Sequence, residues 1–141
     1  MSELRGSDRV SIETDVHQLY RDLTERSTRN PETAPFLLMK DVFMWAVALG
    51  VHFDQRQELV GSKTQIFRWD QFSESIDLPS LKAIAVAATG DVEVLTHEDE
   101  ILRIAEEYAN AGIHLLKREV VDKPGQPLWN LVAVIRSVKA V

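Results

Sequence analysis

The chain has 141 residues, 45% hydrophobic and 27% charged, which suits one globular domain and excludes wholesale disorder. Sixteen basic against 22 acidic side chains give a formal charge of −6, a poor balance for generic DNA binding, whose affinity comes from neutralising phosphates. With no cysteine, a disulfide framework, a thiol nucleophile, a Cys-ligated zinc site and an iron–sulfur cluster are excluded.

Met1 to Arg9 contains no apolar run, so no secretory leader is expected. Residues 1–8 read as a loose polar tail ahead of a single helical domain over 9–141. Val16, Leu19, Tyr20 and Leu23 fall at i, i+3, i+4 and i+7, predicting an amphipathic helix from Arg9 to Arg26. Ser27 to Pro35, with two prolines, breaks it. Phe36 to Leu49 predicts a helix enclosed on most sides, because nearly every position from Val42 on is apolar. Its run to Val51 is only ten residues, against about 20 for a membrane span, so a soluble, cytoplasmic protein is expected. Gly50 followed by Val51 fits a left-handed helix cap.

Residues 52–78 hold no sustained period. Gly61 to Lys63 reads as a loop tip, and Thr64 to Trp69 as a short strand or an extended connector. Pro79 suits the first turn of a helix, Leu81 to Ala88 is small and apolar, and Gly90 closes the segment. Thr96 is the expected N-cap of the next helix, with Glu98, Asp99 and Glu100 in its first turn, where the dipole favours anions. Ile101, Ala105, Tyr108 and Gly112 form one stripe, and Gly112-Ile113 repeats the cap pattern. A separate amphipathic segment runs from Ile113 to Val121 and ends at Lys123 to Pro127. Leu128 to Val138 reads as a last helix, although Val132 to Ile135 also suits a strand. The sum is an all-α domain of about six helices.

Catalytic constellations are missing from this pattern. His17, His52, His97 and His114 fall in four elements, with no two at i, i+4 to form a metal-binding face. His97 with Glu98, Asp99 and Glu100 resembles a cation cluster, but consecutive helical residues point apart and acidic first turns are ordinary capping. Glu106 and Glu107, adjacent on a helix, are expected to diverge rather than converge as an acid/base couple. No catalytic residue, metal or cofactor is expected, and the protein is not expected to be an enzyme.

Charge is unevenly distributed. Residues 91–107 hold Asp91, Glu93, Glu98, Asp99, Glu100, Glu106 and Glu107 against Arg103 alone, whereas 108–141 hold Lys117, Arg118, Lys123, Arg136 and Lys139 against Glu119 and Asp122. Three outcomes fit: a local phosphate-contacting face, self-association of acidic patch with basic patch, or ordinary solvated helix surfaces. Lys63, Arg68 and Trp69 are a second candidate for nucleic-acid contact, the indole stacking on a base; alternatively Phe67, Trp69 and Phe72 anchor the connector into the core.

Met39-Lys-Asp-Val-Phe-Met44, then Ala46-Val-Ala-Leu-Gly50, Ile66-Phe-Arg-Trp69, Lys82-Ala-Ile-Ala-Val-Ala-Ala-Thr-Gly90, Ile101-Leu-Arg-Ile-Ala-Glu-Glu-Tyr-Ala-Asn-Ala-Gly112 and Asn130-Leu-Val132 occur in this order. Over residues 36–135 these blocks resemble the DNA phosphorothioation-associated (dnd system-associated) protein 4 family. The resemblance implies a setting more than a chemistry: bacterial and archaeal systems that replace a non-bridging phosphate oxygen of DNA with sulfur, and the restriction modules that read the mark in phage defence. Sulfur insertion needs cysteine desulfurase and iron–sulfur chemistry, which a chain without cysteine cannot supply. The implied role is a non-enzymatic accessory, and the charge distribution makes Lys63, Arg68, Trp69, Lys117, Arg118, Lys123, Arg136 and Lys139 its candidates for DNA contact. The alternative is an adaptor or oligomerisation module without nucleic-acid contact, working through Asp91, Glu93, Glu98, Asp99 and Glu100. Its partners would be other subunits of the system or a second copy.

Overall fold

The computed structural model of the chain describes residues 3–24 and 30–139, with the backbone alone for Lys139. Val10 and Ile12, both buried, alternate with polar neighbours, so Arg9–Glu13 forms strand β1 rather than the start of a helix. The helix expected over 9–26 is confined to α1 (His17–Thr24), entered through a 3-10 turn at Thr14–Val16. Residues 25–29, the expected end of that helix and the start of the break after it, lie outside the described residues.

The stretch with no sustained period contains strand β2 (Lys63–Arg68), antiparallel to β1. Val10 faces Phe67 but Ser11 faces Gln65, so Ile66 is an extra residue and the ladder carries a bulge there. A 3-10 turn, Trp69–Gln71, follows. Its aromatic neighbours lock it down: Phe43, Phe67, Phe72 and Trp69 pack edge to face or tilted, with ring centroids 5.2–6.0 Å apart.

Two helices form the centre, α2 (Met39–His52) and α4 (Glu98–Leu116). Neither glycine expected to cap them does so. Gly50 and Gly112 lie inside the helices, where the backbones cross: a Cβ on Gly112 would overlap the Ala46 carbonyl oxygen, and one on Gly50 the Tyr108 carbonyl oxygen. The helix-weakening glycines are retained because no other residue permits this approach. α2 starts three residues later than expected and ends three later, and the chain reverses through Asp54 at φ 53°, with Gln55 N–H donating to Gly50 O at 2.8 Å.

α3 (Asp77–Thr89) packs on α4. Gly90 does close it, in the left-handed conformation (φ 68°), its N–H donating to Val86 O at 2.8 Å. Thr96 is not the cap of α4. It ends a 3-10 turn, Val92–Thr96, with its hydroxyl on Glu93 O, and His97 takes the cap position, its side chain not capping the helix. The segment from Ile113 is not a separate helix either. α4 runs on to Leu116 and opens into a π-helical turn, Lys117–Val121, before α5 (Pro127–Lys139).

Asn130 donates to Val120 O at 2.9 Å and Lys123 O at 3.2 Å, closing the turn between α4 and α5. Trp129 Nε1 donates to Glu32 at 2.8 Å, tying α5 to the segment before α2. The fold is thus predominantly α, with five α-helices and one two-stranded sheet among the described residues. No described helix is long and apolar enough to cross a membrane.

Candidate functional site

The basic side chains named from sequence do not gather in one cluster. Lys63 opens β2 beside Glu106 of α4. Lys117 lies eleven residues further along that helix, about 16 Å at the rise of an α-helix. Around the π turn the cations are matched locally: Lys117 pairs with Asp122 at 3.0 Å, Lys123 with Glu119 at 3.0 Å, and Arg118 approaches the same Glu119 at 3.6 Å. The Lys123 hydrogen bond holds the Glu119 carboxyl below its ordinary range. Arg118 also lies over the Phe53 ring, 5.9 Å from its centroid.

Arg68 pairs with Asp70 two residues on. Trp69 is only 6% exposed and packs on Phe72, so the core-anchor alternative describes it and its indole presents no stacking surface. Arg136 is exposed and pairs with no carboxylate among the described residues. The side chain of Lys139 lies outside the described residues.

The acidic candidates divide into two sets. Asp91 accepts the Glu93 N–H at 2.9 Å and caps its 3-10 turn. Glu98 accepts the Leu4 N–H at 3.0 Å, and Glu100 pairs with Arg103. These three are occupied in holding the fold. Glu93 and Asp99 are exposed and form no ion pair among the described residues.

The densest convergence of ionisable groups is not legible in the sequence. A cavity of about 190 Å³ lies between β1, the start of β2, the 53–62 connection and α4, lined by Ser11, Glu58, Lys63, Arg103, Glu106 and Glu107. The adjacent glutamates, expected to diverge, line this one cavity because the strands and the connection wrap both sides of α4. Glu106 reaches the bulge and accepts the Ser11 N–H at 2.7 Å. Glu107 is buried and takes Arg56 Nε and Arg103 Nη1, each at 2.8 Å.

Burial pushes the Glu106 carboxyl up to about 7, the nearby Glu107 adding to it and the Ser11 N–H and Lys63 opposing it. Chemically, this places one carboxyl that titrates near neutrality beside a second, Glu107, that is matched by two arginines. Among the described residues, no group of three or more His, Asp or Glu side chains is arranged to hold a metal ion.

The buried network extends along α4. Asn110 donates to Gln57 O at 3.2 Å, Glu58 O at 3.3 Å and Glu13 Oε2 at 3.1 Å, while Glu13 Oε2 also accepts the Val60 N–H at 2.9 Å. Arg56, held by Glu107, lies 5.6 Å from the Tyr108 ring centroid. These side chains pin an otherwise aperiodic connection to the central helix. Their partners in the strands and the connection come from 47 to 97 positions away, so no local spacing announces them.

The described residues thus form a small, predominantly helical domain clipped by two strands. The chain belongs to the DNA sulphur modification system-associated protein 4 family, whose model matches residues 9–138. The match extends well ahead of the blocks that carry the resemblance in sequence and takes in β1 and α1. No curated protein and no solved structure matches the chain.

Proposed function

We propose that this protein is a non-enzymatic assembly component of a DNA sulphur modification system, acting through protein contacts on its acidic surface rather than through phosphate contacts. The observation that carries this reading is the local matching of cations: Arg68, Lys117, Arg118 and Lys123 each face a carboxylate from their own segment. Such exposed pairs add little stability. They nevertheless reduce the field that a phosphate backbone would need, to one net positive charge around the π turn, and they are distributed over two separate regions. Glu93 and Asp99, by contrast, are exposed anions with no ion pair among the described residues, and charge of one sign steers a partner of the other.

The Glu106 cavity fits the same role. Its hydrogen bond goes to a backbone N–H at the bulge, which ties strand to helix, and Glu107 beside it holds Arg56 of the 53–62 connection. A mobility-shift titration with plain and phosphorothioated duplexes at low salt tests the choice between protein and DNA. No shift at micromolar protein is expected. A salt-sensitive shift, lost on alanine substitution of Lys117, Arg118 and Lys123 together, would instead establish the phosphate-contacting role.

A further inference from the structure

α5 carries Leu131, Ile135 and Val138 at i, i+4 and i+7, one stripe of the helix. Leu131 is buried with Val134 beside it, yet Ile135 is 45% and Val138 39% exposed. The stripe begins in the core and runs off its edge. The charged residues of this helix, Arg136 and Lys139, are both cationic, and Arg136 has no carboxylate partner among the described residues.

A complementary surface exists on the same chain. The 3-10 turn Val92–Thr96 buries Val94 but leaves Val92 67% and Leu95 42% exposed. Glu93 and Asp99, both exposed and in no ion pair among the described residues, neighbour these apolar side chains in the chain. Apolar side chains bordered by anions thus stand on one surface, and apolar side chains bordered by a cation on the other.

We propose that the α5 stripe of one copy docks on the Val92–Asp99 surface of a second copy, with Arg136 meeting Glu93 and Asp99. This rests on the reading of the acidic surface as protein-binding and names its partner. Pairing of α5 with the α5 of another copy is disfavoured, because it would bring cations of the same sign together. The docking covers Ile135 and Val138, matches three charges that stand alone in the single chain, and is weakened by salt. If both contacts form across a two-fold axis the product is a closed dimer; if not, copies add head to tail.

Sedimentation of the full chain over a concentration series, at low and high salt, tests this. Reversible, salt-sensitive association is expected. Arg136→Glu and Glu93→Arg should each weaken it by about tenfold or more, and the two together should restore it, since the pair is then reversed rather than removed. Ile135→Asp should also weaken it, with circular dichroism confirming that each exposed-site variant is folded. A chain monomeric at every concentration, or association indifferent to both charge reversals, would overturn the proposal. If that monomer still binds another subunit of the system in a Glu93-dependent way, self-association alone fails and the assembly role stands. If it binds none, both fail.

Discussion

Gly112 and Glu106 show how single residues on α4 set the terms for the whole chain. Gly112→Ala gains intrinsic helix propensity of up to about 1 kcal/mol, but its Cβ would overlap the Ala46 backbone oxygen, which cannot rotate away. The clash dominates. A net destabilisation of about 2 kcal/mol or more is expected from the forced separation of α2 and α4, measured by urea denaturation; an unchanged midpoint would mean that the helices do not cross so closely.

Glu106 acts through titration instead. Burial lifts its carboxyl from 4.5 to about 7, so between these values the folded chain holds a proton that the unfolded chain releases. Its contribution is therefore full below the unfolded value and is lost as the pH rises to the folded one. Glu106→Gln keeps an acceptor for the Ser11 N–H without the charge. It should flatten the pH dependence across this window and leave the variant about 1–3 kcal/mol more stable than the parent above neutrality, read by denaturation at either end of the window. Asp77 carries the opposite sign: burial would raise it, but the Ser73 N–H and Lys40 outweigh burial and hold it low. Its contribution is present above the ordinary carboxylate range and is lost as the pH falls.

At the scale of elements, legibility in the sequence follows the range of the forces involved. α3, its glycine cap and α5 rest on local periodicity and local backbone geometry, and are readable. β1 is not: Val10 and Ile12 alternate over only five residues and sit directly before a helical pattern, and their strand identity depends on β2, more than 50 positions away. Gly50 and Gly112 mislead for a related reason. A glycine followed by an apolar residue serves a cap or a helix crossing equally well, and only the opposing helix decides. The 53–62 connection has no period because it is held from outside, chiefly by Asn110. Asn110→Ala removes the donor to Gln57 O, Glu58 O and Glu13 and should cost about 1–3 kcal/mol. Hydrogen exchange should accelerate in residues 53–62 before it does so in α2; acceleration confined to the termini would contradict this assignment.

At the scale of the molecule, the acidic and basic segments evident from sequence acquire different meanings once their partners are known. Around the π turn three cations share two carboxylates, Glu119 and Asp122, so most of the positive charge there is matched locally. The anions at Glu93 and Asp99 are outward and unbalanced, and they border exposed apolar side chains. Charge counting reveals the asymmetry; only the folded arrangement separates matched charges from available ones. Membership of the DNA sulphur modification system-associated protein 4 family supplies the setting in which such a surface would be used.

Whether this chain works through protein contacts within its system is decided by co-purification with the other subunits of the system, performed with and without nuclease. The wild-type chain should be retained by at least one subunit after nuclease treatment, and a Glu93→Arg, Asp99→Arg variant should be lost. Retention abolished by nuclease would show that DNA bridges the components, and the protein-contact role would be wrong.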